Sequence, residues 1–162
     1  MAPEKKALEN ACGKALSIQP SETSRRALQP LVIGSDQVCI TNLGKTLHKP
    51  GTKTRAIQQL HQVSGQWVTF HTGLVLVRSK RVLHEAVVQS RVKYRVLSDP
   101  QIRGYVDADK PFQSAGSLLM EGAGLRLIEQ IETSDINALY GLPALKLLEG
   151  LYKLNWDLSY ET

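Results

Sequence analysis

The stretch Leu31-Val32-Ile33-Gly34-Ser35-Asp36-Gln37-Val38-Cys39-Ile40 passes from an apolar run into a glycine, a serine and a lone carboxylate. The apolar run predicts a β-strand that is covered on both faces, as is typical of α/β sheets. In open α/β sheets, the residues just beyond the carboxyl end of a strand face the ligand crevice. We therefore expect Asp36 at that edge, although an aspartate after a strand is more often a turn former or a helix cap.

Helical spacing of apolar residues predicts a helix from Pro3 to about Ile18 and a second one, capped by Thr52, to about Val63. Residues 21–26 are turn-like, and residues 42–51 read as a loop. Residues 67–77 and 82–97 are rich in β-branched side chains and predict a long antiparallel hairpin. A slip in the alternation of the second strand favours a bulge near Gln89-Ser90.

Two further helices are predicted, one from Ser98-Asp99-Pro100 to just before Asp109 and one after Gly141-Leu142-Pro143. The 162 residues fit one domain, residues 1–162. The fold class is therefore α/β, with an elongated mixed sheet and flanking helices.

Composition excludes several classes of protein. No window approaches the roughly 20 apolar residues of a membrane span, and no apolar signal core follows Met1, so we expect a cytoplasmic protein that contacts no membrane. Cys12 and Cys39 show no metal-binding or disulfide spacing and are interpreted as reduced structural thiols.

The net charge of +5 suits a polyanionic partner, either nucleic acid or the phosphates of a nucleotide. The basic residues are scattered, and few aromatic side chains lie among them as a base-stacking surface would require. We therefore expect no nucleic-acid partner.

A set of short motifs, none specific alone, runs in a fixed order over nearly the whole chain. Besides Ser35-Asp36-Gln37, the motifs are Leu47-His48-Lys49-Pro50-Gly51, Val63-Ser64-Gly65, Thr69-Phe70-His71-Thr72-Gly73, Ser114-Ala115-Gly116-Ser117, Glu121-Gly122 and Tyr140-Gly141-Leu142-Pro143. In order and spacing the chain resembles the Maf family of nucleoside triphosphate pyrophosphatases, named for septum formation. Ser35-Asp36-Gln37 with Glu121-Gly122 is similar to the branch that hydrolyses 7-methyl-GTP.

The resemblance implies an elongated sheet with a nucleotide cleft, and a divalent cation, Mg²⁺ or Mn²⁺, as cofactor. Family members begin with a strand, a Ser-x-Ser-Pro-Arg-Arg loop and an Asp-Glu pair that are missing here, so the first strand of the fold is expected to be absent. Arg25-Arg26 lies after the first helix and is interpreted as a coincidence. Either the start is placed too far downstream, or this is a shortened member that lacks an arginine clamp and metal-binding acids.

The resemblance assigns roles to five residues. Asp36 matches the catalytic base and is also the expected metal ligand. Lys49 matches the lysine of a Gly-Lys-Pro motif, with Lys45 as its rival, and Lys14 matches a phosphate-binding lysine on the first helix. A helix lysine is otherwise as often solvated surface.

Glu121 and Gln37 are the expected base readers. One carboxylate can accept from both guanine N1–H and the exocyclic amine, and methylation at N7 adds positive charge that favours a carboxylate. The alternative for Glu121 is a simple turn residue. Ser114, Gly116 and Ser117 are interpreted as cleft wall, and His61, His71 and His84 as structural.

The predicted function is hydrolysis of 7-methyl-GTP, or a related modified nucleotide, to the monophosphate and pyrophosphate, which clears non-standard nucleotides from the pool. The alternative is a catalytically impaired nucleotide-binding or cell-division regulatory protein. A third interpretation, a nucleic-acid-binding module, is supported by the net charge alone. The sequence leaves a homodimer open.

Overall fold

A computed structural model describes residues 1–18 and 30–156. Their helices are α1 (Pro3–Ser17), α2 (Lys53–Val63), α3 (Asp99–Asp109) and α4 (Ala144–Lys153). Their strands are β1 (Val32–Thr41), β2 (Thr46–Leu47), β3 (Trp67–Arg78), β4 (Arg81–Tyr94) and β5 (Ile128–Glu132). Short 3₁₀ turns span Ala115–Ser117, Ala123–Leu127 and Ile136–Tyr140. The turn predicted for residues 21–26, including Arg25-Arg26, lies outside the described residues.

Local capping explains why the helices start where the sequence predicts. Thr52 Oγ1 accepts a hydrogen bond of 3.3 Å from the backbone N–H of Arg55 at the start of α2. At the start of α3, the Ser98 N–H donates to Gln101 Oε1 at 2.8 Å. Each contact gives a partner to a backbone N–H that the helix terminus would otherwise leave without one.

The five strands form one sheet in the order β2-β1-β3-β4-β5. This confirms the α/β class, but all described strand pairs are antiparallel, whereas a mixed sheet was expected. The reason is that α2, which lies between β2 and β3 along the chain, returns β3 antiparallel to β1 instead of making a parallel crossover.

The hairpin of β3 and β4 turns at Ser79 and Lys80, which have φ values of 51° and 62°. Positive φ at both positions is what tight two-residue hairpin turns require. The pairing register shifts between Leu76 and Val77, so the bulge predicted near Gln89-Ser90 is wrong. There, Gln89 and Ser90 pair regularly with β3.

The two faces of the sheet are covered by different helices. On one face, Ala11 and Ala15 of α1 pack against Val75 and Val77 of β3. The larger core lies on the other face and joins the sheet to α2 and α3 through Phe70, Tyr94, Leu60 and Ile102, among others. The expectation that β1 is covered on both faces is wrong at its start, since Ile33 is 44% exposed and Val32 half-buried.

Two glycines allow α1 to lie directly on the sheet. A Cβ on Gly34 of β1 would lie 2.7 Å from Ala15 Cβ, and a Cβ on Gly73 of β3 would lie 2.7 Å from the backbone carbon of Ala7. Such distances are too short for any side chain, so glycine at both positions lets α1 approach β1 and β3 closely. Among the described residues, no helix has the length and apolar character to span a membrane.

Candidate active site

Asp36 lies in the middle of β1, opposite Gly73 of β3, and not at the end of the strand as predicted. The strand continues for five residues beyond Asp36 because Gln37 to Thr41 pair with β3. Since successive strand residues point to opposite faces, the Asp36 side chain lies on the same face as Gly34, towards α1. The side chain is 16% exposed.

Two residues of α1 contact the Asp36 carboxylate. Lys14 Nζ lies 2.5 Å from Oδ1 and also donates to the backbone carbonyl of Ser35 at 3.2 Å. Asn10 Nδ2 donates to Oδ2 at 2.8 Å. Asn10 and Lys14 are four residues apart and therefore share one face of the helix. The close seating of α1 on Gly34 and Gly73 thus fixes both partners of Asp36.

A cleft of about 790 Å³ opens beside Asp36. Lys6, Lys49 and His48 bring basic groups to its walls, and Asp36 is the only carboxylate among its described lining residues. The described lining residues are Met1, Pro3, Lys6, Asn10, Asp36, Gln37, Val38, Cys39, Ile40, Gly44, Thr46, Leu47, His48, Lys49 and Ala115. A basic cleft with one carboxylate suits an anionic ligand.

Lys49 lies in this cleft on a loop that is fixed on its C-terminal side. Pro50 is buried, and the Gly51 N–H donates to the Phe112 carbonyl at 2.9 Å. The rival Lys45 donates to Gln62 Oε1 at 3.3 Å and is not among the lining residues. Of these two lysines, Lys49 is therefore the one positioned to meet a ligand in the cleft.

Gln37 lines the cleft, but its amide nitrogen is engaged elsewhere. Gln37 Nε2 lies 3.1 Å from Thr72 Oγ1 and 2.9 Å from the Ala138 carbonyl, on the face of the sheet opposite to α1. Its amide oxygen is the group left to meet a ligand. Gln37 as a base reader stays a prediction.

The structure does not bring Glu121 together with Asp36. Glu121 is exposed and does not line the cleft described above. A Cβ on its neighbour Gly122 would overlap the Asp109 carboxylate, which accepts from the Ala123 N–H at 2.6 Å, so glycine leaves this contact undisturbed. The glycine of Glu121-Gly122 is thus explained by Asp109, and the role of Glu121 stays a prediction.

The remaining candidates have structural contacts. Ser114, Gly116 and Ser117, which were interpreted as cleft wall, are not among the described lining residues; their neighbour Ala115 is, and Ser117 is buried. His61 Nε2 lies 3.0 Å from Asp99 Oδ1, and Arg103 and His61 together lower the pKa of Asp99. Burial raises the pKa of the Cys39 thiol far above its usual value, so this cysteine behaves as an apolar side chain.

Sequence reasoning missed Asn10 and Lys6. Asn10 contacts Asp36, and Lys6 lines the cleft from the first turns of α1. A signal was available for Asn10, since it precedes Lys14 by four residues on the same helix. For Lys6 there was none, because an exposed lysine on an amphipathic helix is ordinary surface.

The fold and this cleft define an α/β protein with a basic binding site around one carboxylate. Residues 1–154 match the model of the Maf-like protein family, and the chain belongs to that family.

Curated relatives carry the name 7-methyl-GTP pyrophosphatase. The protein from Pseudomonas aeruginosa is 46% identical over 124 residues, which are 76% of this chain and 64% of the relative. The protein from Aliivibrio fischeri is 42% identical over 124 residues, again 76% of this chain and 64% of the relative. The protein from Ralstonia nicotianae is 36% identical over 158 residues, 97% of this chain and 78% of the relative. The chain thus spans less than two thirds of the length of the first two relatives.

Proposed function

We propose that this protein hydrolyses the α–β phosphoanhydride of 7-methyl-GTP and releases 7-methyl-GMP and pyrophosphate. The observation that carries the proposal is the Asp36 carboxylate, which Lys14 and Asn10 hold beside a basic cleft. The substrate comes from the names of the relatives. We propose a cytoplasmic location as well, since a free nucleotide would be met there.

In the proposed reaction, Asp36 accepts a proton from a water molecule as the water oxygen attacks the α-phosphorus. A P–O bond forms to the water oxygen, and the bond from the α-phosphorus to the bridging oxygen breaks, so pyrophosphate leaves with the bonding electrons. A positioned general base contributes about a hundredfold to ten-thousandfold in rate.

Cations in the cleft offset the charge of the phosphates in this proposal. Lys49 and Lys6 present ammonium groups on different segments of the cleft wall. Lys14 lies beside Asp36, so a phosphate brought to this carboxylate would share its ammonium group. Cations placed beside the phosphates would stabilise the negative charge that develops on the leaving pyrophosphate.

The family implies a divalent metal, and the described residues can be tested for a site that would hold it. Among the described residues, no group of three or more His, Cys, Asp or Glu side chains could hold a metal ion. The one cleft carboxylate, Asp36, already contacts the Lys14 ammonium at 2.5 Å, where a second cation would be repelled. The described residues therefore do not fit a metal by themselves, and no step above is routed through one.

Glu121 and Gln37 enter the proposal as readers of the base. Glu121 would accept from guanine N1–H and the exocyclic amine, and Gln37 would offer its amide oxygen. For Glu121 to do so, the turn that carries it must come closer to a nucleotide bound in the cleft.

The test is a substrate panel with the purified chain. Pyrophosphate release is measured for 7-methyl-GTP, GTP, ATP and UTP, with Asp36→Asn prepared in parallel as a control for contaminating phosphatases. We expect the highest kcat/KM for 7-methyl-GTP and no release above background by Asp36→Asn. Nucleotide binding without turnover would favour the impaired, regulatory alternative.

A further inference from the structure

The side chain of Gln59 bridges His48, which lines the cleft, to the buried Ser117. Gln59 lies on α2, and its Nε2 donates to the backbone carbonyl of His48 at 2.8 Å. Its Oε1 accepts from Ser117 Oγ at 2.7 Å. Because a carbonyl oxygen can only accept, the amide nitrogen must face His48, and the orientation of the Gln59 amide is fixed.

One end of this bridge is anchored firmly. Ser117 is fully buried, and its carbonyl accepts from the Tyr105 hydroxyl at 3.1 Å. The same hydroxyl accepts from the Leu119 N–H at 2.9 Å, so α3 holds Ser117 and the residues that follow it. Gln59 itself lies in the middle of α2. Ser117 and α2 are therefore the fixed parts, and the hydrogen bond from Gln59 restrains the segment at His48.

The other end is the loop that carries Lys49. The bond from Gln59 fixes the peptide carbonyl of His48, directly before Lys49, and the bond from Gly51 to Phe112 fixes the loop after it. Lys49 is thus held from both sides while its own side chain stays exposed in the cleft. A lysine on a fixed backbone loses less conformational freedom on binding an anion than one on a mobile loop.

We propose that Gln59, through Ser117, is a positioning residue that holds the Lys49 loop ready for the phosphates of the nucleotide. The assignment rests on the proposed function, since it takes Lys49 to be a phosphate ligand. Gln59 itself does not touch the substrate. Its removal therefore weakens nucleotide binding and raises KM, with a smaller effect on kcat.

A double-mutant cycle tests the proposal in the full chain. The Kd of a non-hydrolysable 7-methyl-GTP analogue is measured by calorimetry for wild type, Gln59→Ala, Lys49→Ala and the double variant. We expect Gln59→Ala to weaken binding about threefold to tenfold in the wild-type background and to have no further effect once Lys49 is alanine. Gln58→Ala is the matched control, because Gln58 is the exposed neighbour of Gln59 on α2. Equal effects of Gln59→Ala in both backgrounds would overturn the positioning role.

Hydrogen exchange gives a second readout that needs no ligand. Backbone amides of residues 46–49 and of Gly51 should exchange faster in Gln59→Ala and in Ser117→Ala than in Gln58→Ala. Unchanged exchange in both variants would show that the bridge does not hold the loop and would overturn the proposal. A wild-type chain that binds no nucleotide would instead overturn the proposed function, and the exchange result would still decide whether Gln59 fixes the loop.

Discussion

Replacing Asp36 by asparagine separates the chemistry of the site from its structure. Asparagine keeps the shape of the side chain but cannot take a proton from water. We expect kcat for 7-methyl-GTP to fall by about a hundredfold or more, the loss typical of removing a general base. A hundredfold corresponds to about 2.7 kcal/mol of transition-state free energy.

The cost of Asp36→Asn to stability should be small by comparison. The Lys14 side chain is 57% exposed, so solvent screens the ion pair, which contributes about 0–1 kcal/mol. The Asn10 hydrogen bond loses its charged acceptor but can be remade to the amide oxygen of the substituted side chain, which costs on the order of 1 kcal/mol. A loss of about 1–2 kcal/mol lowers Tm by about 2–8 °C and leaves the chain folded at 25 °C.

The assay is the initial rate of pyrophosphate release at saturating 7-methyl-GTP, together with a thermal melt of each variant. Glu9→Gln is the control, since Glu9 is an exposed carboxylate on α1 outside the cleft lining. A folded Asp36→Asn protein with a rate near that of wild type would refute the assignment of Asp36 as the base.

Three further variants test other parts of the account. Glu121→Gln should lower the ratio of kcat/KM for 7-methyl-GTP to that for UTP by about tenfold to a hundredfold, because the amide N–H of glutamine then faces an N–H donor of guanine. An unchanged ratio would show that Glu121 does not read the base. Gly34→Ala should lower the free energy of unfolding by about 1–3 kcal/mol, because the added methyl group forces α1 away from the sheet. Gly13→Ala is the control: Gly13 has open space around it, and alanine there should stabilise α1. Equal melting curves of the two variants would contradict the close packing of the helix on the sheet. Burial lowers the pKa of His71, and Glu4, whose carboxylate lies 3.3 Å from the ring, opposes this shift. The unfolded chain therefore binds the proton more tightly, and the stability of the fold should fall as the pH drops below about 6.5. Denaturant titrations between pH 5 and 7 should show this slope in wild type and a weaker one in His71→Phe.

Helix boundaries could be predicted because their signals are local. Thr52 and Ser98 start α2 and α3 through contacts to residues three positions along, and these are visible in the sequence alone. Strand pairing was harder, because the direction of β3 relative to β1 depends on the packing of the whole sheet. The position of Asp36 in the middle of β1 was missed for the same reason.

The site was predictable only in part. Asp36 and Lys49 lie at one cleft, as their motifs suggested. The contacts of Asn10 with Asp36 and of Gln59 with His48 join residues 26 and 11 positions apart, and no sequence period connects them. Glu121 is not among the described lining residues, and the turn that follows it contacts Asp109, a residue that the motif does not contain.

The most direct test of the proposed activity is product analysis in water enriched with ¹⁸O. The purified chain is incubated with 7-methyl-GTP, and the products are separated and their masses are measured by mass spectrometry. The account predicts equal amounts of 7-methyl-GMP and pyrophosphate, with one ¹⁸O atom in the monophosphate and none in the pyrophosphate. Release of 7-methyl-GDP and phosphate, label in the pyrophosphate, or bound nucleotide that is never hydrolysed would contradict it.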